Sequence, residues 1–141
     1  MSVVPGSDFG TRVRSRLQHD AIAWLTTTSD NGTPQPNPVW FLWEPETESV
    51  LVYNANDAKR LEHVAVRPRV SLNLDGDGQG GNIVVLTGVA EQALDVPSAD
   101  RHETYVTKYA AYIDRLGSDP ASFAEKYSVP LRIRVTTVRG H

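Results

Sequence analysis

Short runs of apolar and β-branched residues, separated by polar turns, recur along most of this chain. Strands are predicted at residues 21–28, 50–53, 70–74, 83–90 and 131–138, and a return strand at residues 33–43 follows the hairpin turn Asp30-Asn31-Gly32. Gly88 interrupts the run at 83–90 and predicts a bulge or a close approach of backbone. Closely spaced strands with a turn at each interval favour a small antiparallel barrel of about six strands over a parallel doubly wound sheet.

The return strand is unusual because Pro34, Pro36 and Pro38 occupy alternate positions. Proline has no N–H to donate, so the pattern predicts an edge strand and argues against a central one. Two interpretations of this edge stay open: its backbone faces a ligand, or the prolines simply protect an edge against aggregation.

The aromatic run that follows the prolines sends side chains to both faces of the strand. Alternation places Trp40 and Leu42 in the core, and it places Phe41 and Trp43 on a second surface such as a subunit interface. So much aromatic surface on a chain of this size predicts a two-fold homodimer.

Helical spacing occurs in four segments. The first begins at Ser7 or Asp8, and its three arginines are expected on a solvated face. The longest helix is predicted at residues 99–116, ending at Gly117, with a tyrosine stripe that is expected to serve in packing rather than in cofactor contact. A short helix after Asp119-Pro120 is anchored by Phe123. The remaining helix follows the strand that ends at residue 53.

That remaining helix carries the strongest chemical signal. If Asn56 or Asp57 caps it, then Lys59 and Arg60 both lie in its first turn, where unpaired N–H groups already make the helix end positive. Two cations and free amides form a site for a phosphate or a carboxylate. The alternative is that Asp57 offsets the charge and both side chains lie in water. His63, one turn further on, is expected at the surface.

Length and composition limit the function classes. The 141 residues are expected to form one domain, 1–141, and a net charge of −3 argues against broad nucleic-acid binding. No cysteine is present, which excludes disulfides and thiolate chemistry. We expect no membrane span and no signal peptide, and therefore a cytoplasmic protein.

Motifs for catalysis are scarce. The four histidines share no metal-ligand spacing, and the glycine-rich loop at residues 76–81 lacks the lysine and helix of a phosphate-binding P-loop. We therefore assign no catalytic residue and no metal site. A chain so poor in acid–base groups either does no chemistry or obtains it from a cofactor.

Four segments together resemble the pyridoxamine 5′-phosphate oxidase-like superfamily, and in particular its branch that uses the deazaflavin F420. They are the strand Trp24-Leu25-Thr26-Thr27, the turn and Thr33-Pro34 after it, the run Asn37-Pro38-Val39-Trp40-Phe41, and the segment from Lys59 to Arg67-Pro68-Arg69-Val70. The resemblance runs from about residue 20 to 139. It implies a six-stranded antiparallel split β-barrel of the FMN-binding type with flanking helices, which forms a homodimer with two cofactor sites at the subunit interface.

The resemblance also implies the site residues. Lys59 matches the family's phosphate-binding lysine, and Arg60 adjoins it. The deazaflavin ring is expected along Asn37, Pro38, Val39 and Trp40 and at the strand end Tyr53-Asn54, with Gly80, Gly81 and Asn82 closing over the cofactor. Many relatives have Tyr-Ser-Gln where this chain has Tyr53-Asn54-Ala55.

The expected function is that of an F420-dependent oxidoreductase, which transfers a hydride between reduced deazaflavin and an electron-poor small molecule such as a quinone-like carbonyl compound. Two alternatives stay open: a non-catalytic F420-binding carrier, and an FMN-binding flavoprotein of the same fold.

Overall fold

In a computed structural model, which describes residues 2–141, the chain forms seven strands and four α-helices. The strands are β1 (Ile22–Thr28), β2 (Pro34–Trp40), β3 (Leu42–Glu44), β4 (Ser49–Asn54), β5 (Arg69–Leu74), β6 (Val84–Gln92) and β7 (Val129–Gly140). The helices are α1 (Asp8–His19), α2 (Lys59–Val66), α3 (Glu103–Arg115) and α4 (Pro120–Lys126), and a 3-10 turn, Ala99–Arg101, precedes α3.

All seven strands form one antiparallel sheet in the order β2-β1-β5-β6-β7-β4-β3. The two end strands, β2 and β3, are consecutive in the chain and are separated by Phe41 alone. The sheet must therefore curl until its two ends meet, and the result is a mainly β fold with flanking helices, as predicted. The strand count is seven rather than six because the predicted strand at 33–43 breaks at Phe41, and its two halves pair with different neighbours.

The structure also corrects the predicted arrangement of the aromatic run. Phe41 was expected on a second surface, but it is 1% exposed and lies in the barrel interior with Val39 and Val52. Trp43 is half-buried and packs against the same interior cluster. The alternation itself is kept, since Phe41 and Trp43 face the interior cluster, whereas Trp40 and Leu42 face an apolar cluster on the other side of the sheet. The prediction is wrong about which face is the barrel interior, because both faces of this segment are apolar and alternation alone does not distinguish them.

Phe41 belongs to neither ladder, and helix α3 supplies its hydrogen-bond partners. The Phe41 N–H donates to the Tyr109 hydroxyl at 2.8 Å, and the Lys108 ammonium donates to the Phe41 carbonyl at 2.8 Å. The Tyr109 hydroxyl also lies 2.7 Å from the Ala21 carbonyl and 2.9 Å from the Phe41 carbonyl, as a donor. Since a buried peptide group without a partner is costly, α3 is part of what allows the barrel to close.

Two helices cover opposite ends of the barrel. Helix α1, capped by Ser7 as predicted, contributes Val13 and Leu17 to the interior cluster, and α2 contributes Val64. Helix α2 lies at the end where β1 and β4 finish, as its contacts with β1 show. The predicted cap of α2 is wrong: its N-cap residue is Ala58, and no side chain caps the helix.

A second apolar cluster lies outside the barrel, between α3, α4 and the outer faces of β3 and β4. Trp40 stacks on Tyr109 at 4.7 Å and on Phe123 at 5.1 Å between ring centroids. This confirms that the tyrosine stripe serves in packing and that Phe123 anchors α4. The predicted single helix at 99–116 is interrupted, because His102 has an extended backbone (φ −90°, ψ 97°) between the 3-10 turn and α3.

Two further predictions about the strands are confirmed. Strand β2 is an end strand that pairs with β1, and the ladder of β6 with β7 shifts register between Thr87 and Gly88. A Cβ at Gly88 would lie 2.4 Å from the Arg134 carbonyl oxygen, so the bulge requires glycine. No helix within residues 2–141 is long and apolar enough to cross a membrane.

The junction at Phe41 yields a first prediction. Tyr109→Phe removes the acceptor of the Phe41 N–H, so we expect the free energy of unfolding to fall by about 1–3 kcal/mol. Tyr112→Phe is the matched control: its hydroxyl makes no hydrogen bond within residues 2–141, so a change within about 0.5 kcal/mol is expected. Urea denaturation of both variants measures the difference. Equal stabilities would contradict the role given to Tyr109.

Candidate functional site

The residues that the sequence predicts for a cofactor site fall into three groups in the structure. The first follows β2, from Asn37 to Trp40. The second joins the end of β4 to the start of α2, and it contains Tyr53, Asn54, Lys59 and Arg60. The third is the loop from Gly80 to Asn82, between β5 and β6. The second group lies at the end of the barrel where β2 begins and β4 ends, and the loop lies at the opposite end. The first group runs from the middle of β2 toward the loop end, since Trp40 pairs with Ile22, and Leu74, which precedes the loop, pairs with Ala23.

The second group is organised by Asn54, which is fully buried. Its amide nitrogen donates to the carbonyls of Val52 at 3.0 Å and Val129 at 2.9 Å. Its amide oxygen accepts the Nε–H of Arg60 at 2.5 Å. The Arg60 guanidinium is therefore fixed by a rigid strand, and its two terminal nitrogens have no partner within residues 2–141. Partial burial lowers the pKa of Arg60, and the unfilled donors are available to an anion.

The start of α2 adds backbone donors to this arginine. No side chain caps the helix, and the amides of Lys59 and Arg60 have no acceptor within residues 2–141. The Lys59 side chain is 82% exposed and lies 3.7 Å from Glu62. Arg60, rather than Lys59, is therefore the preorganised cation. Together the guanidinium and the free amides fit a phosphate group.

The aromatic residues of the predicted site are packed rather than open. Tyr53 is buried, and its hydroxyl donates to the Pro97 carbonyl at 2.7 Å. Burial raises the pKa of Tyr53 to about 12, so its phenol stays protonated at neutral pH. Val39 is buried in the barrel, and Trp40 is stacked in the outer cluster. Asn37 and Pro38 are exposed.

The free edge of β2 carries acceptors without donors. Ser29 N–H donates to Thr33 O, which fixes the hydrogen-bonded pairs of the β1–β2 ladder at alternate positions from residue 33. The three prolines therefore fall at the non-hydrogen-bonded positions, where peptide groups point away from β1. The carbonyls of Pro34, Pro36 and Pro38 line the free edge, and no N–H stands beside them. Such an edge accepts hydrogen bonds from a ligand but does not recruit another strand.

The loop from Gly80 to Asn82 is held by α1. Arg12 donates to the Asn82 side-chain oxygen at 3.1 Å, and Arg16 donates to the Asn82 carbonyl at 2.9 Å. Asn82 has a left-handed backbone (φ 54°). The expectation that the helix-1 arginines form a solvated face is wrong, because they tie this loop and the N-terminal segment to the barrel. The predicted contact of the loop with a cofactor stays a prediction.

Sequence reasoning missed one polar pair beside the site. His63, expected at the surface, is half-buried, and its Nδ1 lies 2.8 Å from the hydroxyl of buried Thr27. The pair closes the barrel end beneath α2. No local sequence pattern predicts this contact, because Thr27 and His63 are 36 positions apart. No group of His, Asp and Glu side chains within residues 2–141 is placed to hold a metal ion.

Comparison with known proteins gives one family match. Residues 9–141 match the family described as pyridoxamine 5′-phosphate oxidase. Among curated protein sequences, none matches the chain.

Several solved structures share the fold. An F420 reductase is 19% identical with a TM-score of 0.65, covering 89% of this chain and 94% of its own. An FAD-binding protein from Mesorhizobium loti is 21% identical with a TM-score of 0.62, covering 89% and 88%. HutZ, a heme storage protein from Vibrio cholerae, is 15% identical with a TM-score of 0.58, covering 92% of each chain. At these identities the likeness is one of fold.

The three hydrogen bonds of the Asn54 side chain yield a second prediction. Asn54→Ala leaves two buried carbonyls and the Arg60 Nε–H without their partner, so we expect the free energy of unfolding to fall by about 1–3 kcal/mol. The control is Asn37→Ala, an exposed position without such contacts, for which little change is expected. Chemical denaturation compares the two variants. If Asn54→Ala loses no more stability than Asn37→Ala, the hydrogen bonds of the Asn54 side chain do not stabilise the fold as proposed.

Proposed function

This chain belongs to the pyridoxamine 5′-phosphate oxidase family, and from that premise we propose that it is an oxidoreductase that binds the deazaflavin F420. Its substrate would be a small, electron-poor organic molecule. The observation that carries the proposal is the anion site at the start of α2, where Arg60 is held by buried Asn54 beside free helix amides. A structural neighbour described as an F420 reductase supports the choice of cofactor.

The chain offers separate surfaces to the two parts of such a cofactor. The phosphate would lie at Arg60 and the α2 amides, with Lys59 adding an exposed cation. A ring with N–H donors would lie along the proline carbonyls of β2, which accept hydrogen bonds and cannot donate them. The row of proline carbonyls begins with Pro34 at the end of the barrel where β4 passes into α2. When bound, F420 supplies the hydride chemistry, and the protein orients it and shields it from water.

No side chain of the predicted site is assigned a proton-transfer role. Tyr53 stays protonated at neutral pH because burial raises its pKa to about 12, and the Asn54 amide is fully engaged. Protons would therefore come from solvent. A carrier that binds F420 without catalysis would use the same anion site at Arg60. This carrier is the second candidate function, because the chain resembles a heme storage protein in fold.

Catalysis and cofactor identity are tested together. Purified protein is titrated with F420, FMN, FAD and haem, and reduced F420 is then mixed with a panel of quinone-like and unsaturated carbonyl acceptors. Tight F420 binding with acceptor-dependent oxidation supports the proposal. F420 binding without turnover on any acceptor would favour the carrier, and a preference for FMN or FAD would reject the deazaflavin.

We also propose a homodimer, on grounds that differ from the aromatic run. Helices α3 and α4 cover the outer faces of β3 and β4, whereas the outward side chains of β1, β5 and β6 belong to neither apolar cluster. Arg69 and Glu91 lie at one end of this face, and the side chains across the rest of it are uncharged: Trp24, Thr26, Ser71, Asn73, Val85, Thr87 and Val89. A wide sheet face with charges only at one end is typical of an interface with an uncharged core and a polar rim, and a second copy of the chain would cover it.

The anion site formed by Arg60 and the α2 amides yields a prediction about affinity. Arg60→Met removes a preorganised guanidinium, so we expect F420 to bind about 10- to 100-fold more weakly. Lys59→Met should weaken binding by only about 2- to 5-fold, and that loss should vanish in about 0.5 M salt, because the exposed lysine is screened by water and ions. Fluorescence titration of F420 measures both effects.

Arg139→Met serves as the control for loss of a cation far from this anion site, because Arg139 is exposed and lies at the opposite end of β7 from Val129, whose carbonyl holds Asn54. The affinity of this variant should equal that of the wild type. If Arg60→Met also binds F420 as the wild type does, the anion site is misplaced. A larger loss for Lys59→Met than for Arg60→Met would restore the ranking that the sequence resemblance implies.

The uncharged sheet face yields a prediction about assembly. Ser71→Arg puts a cation in the middle row of the face, between Thr26 and Thr87, so the variant should be monomeric where the wild type is dimeric. Ala111→Arg, on the exposed side of α3, is the control and should leave the dimer intact. Light scattering at micromolar concentration gives the mass of each. A wild type that is already monomeric would reject the homodimer.

A further inference from the structure

A groove of about 1100 Å³ lies between α1, the β3–β4 turn and α3. Its walls are the N-terminal segment and α1, the β3–β4 turn, and the first half of α3. None of the residues predicted for the cofactor lines it. The volume matches that of pockets that take small organic molecules.

The groove contains a cation without a counter-ion. Lys108, on α3, lines the groove, and none of the five ion pairs within residues 2–141 includes it. One of its N–H groups donates to the Phe41 carbonyl, and the ammonium lies 3.9 Å above the centre of the Phe41 ring. Its other two N–H groups have no partner within residues 2–141. A half-buried ammonium with two unfilled donors is a binding site for an anion.

Apart from Glu46, the remaining charges on the walls are already engaged. On the β3–β4 side, Glu44 pairs with Arg132 at 2.9 Å, and Glu48 accepts hydrogen bonds from Ser2 and from the Val3 N–H. Glu46, in the same turn, is exposed.

On the α1 and α3 sides, the arginine and the histidines are held by local contacts. Arg14 donates to the Val4 and Pro5 carbonyls, His19 contacts the Ser15 carbonyl, and His102 caps α3. Asp20 attracts Lys108 from a distance, but it is itself bound to Arg16 at 2.5 Å.

The apolar part of the groove indicates what the anion is attached to. Leu42, Trp43 and Val4 line it beside Lys108, and the hydroxyl residues Thr104 and Thr107 lie one turn and one residue before the lysine on α3. We propose that this groove is a second ligand site, separate from the cofactor site, which binds a small organic carboxylate through Lys108, with the apolar body of the ligand against Leu42 and Trp43.

The charge state of the lysine makes the proposal testable by pH. Burial lowers the pKa of Lys108 to about 8, and Asp20 opposes that shift. The ammonium, and with it the attraction for a carboxylate, is therefore present below this pH and is lost as the pH rises through it. A bound carboxylate should in turn raise the pKa of Lys108.

The experiment compares phenylacetate with its neutral amide, phenylacetamide, by calorimetric titration of the full chain. At about pH 7 we expect the acid to bind at least about tenfold more tightly than the amide, the scale of a charge-assisted hydrogen bond. This preference should fall steadily between about pH 8 and pH 10 as Lys108 loses its proton. The amide, measured at each pH, reports any change that the other titrating side chains make to the groove.

Lys108→Met keeps the unbranched apolar stem of the side chain and removes its charge, and the Tyr109 hydroxyl can still donate to the Phe41 carbonyl at 2.9 Å. We expect this variant to bind the acid and the amide equally, and Lys126→Met to keep the preference of the wild type. The proposal is overturned if Lys108→Met keeps the preference, if the wild type binds both ligands equally at about pH 7, or if neither ligand binds at about 10 mM. Should Lys108→Met fail to fold, the wild-type pH series decides.

Discussion

The single residue between β2 and β3 is the constraint on which the rest of this structure depends. The two end strands of a seven-stranded sheet are joined by Phe41 alone, so the sheet must roll up until its ends meet. At the junction the peptide groups leave both ladders, and they are satisfied by Tyr109 and Lys108 from α3. The outer helices are therefore a condition of closure and not an addition to a finished barrel.

Closure at one end of β2 leaves the split open at the other end. There the prolines face outward with their carbonyls, and the end of β4 passes into α2. The fold thus brings together an acceptor edge and a helix start rich in donors. The two differ in rigidity: Asn54 holds Arg60 from within a fully buried strand, whereas Lys59 extends into water. Preorganised donors cost less entropy to use on binding, which is why we give Arg60 the larger role in the proposed site.

The sequence predicted what local periodicity and turn chemistry encode. The strands, the Asn31-Gly32 hairpin, the edge position of the prolines and the bulge at Gly88 each depend on a few neighbouring residues. The break at Phe41, the interruption at His102 and the pairing of Thr27 with His63 depend on partners tens of residues away, and the residues themselves carry no sign of them. The cap of α2 was mispredicted for a related reason: Asn56 and Asp57 are good capping residues, but the helix begins only at Lys59.

Affinity and choice of cofactor depend on different parts of the proposed cofactor site. F420, FMN and FAD all carry phosphate, so an anchor made of Arg60 and helix amides would bind any of them and gives affinity without identity. Discrimination between these cofactors must come from the part of the site that contacts the ring, which is the row of proline carbonyls on β2. A ring that presents N–H donors there forms hydrogen bonds with the carbonyls, whereas a ring without donors displaces their water and leaves them without partners. The proline pattern that first marked β2 as an edge is therefore also the feature on which the choice of cofactor depends.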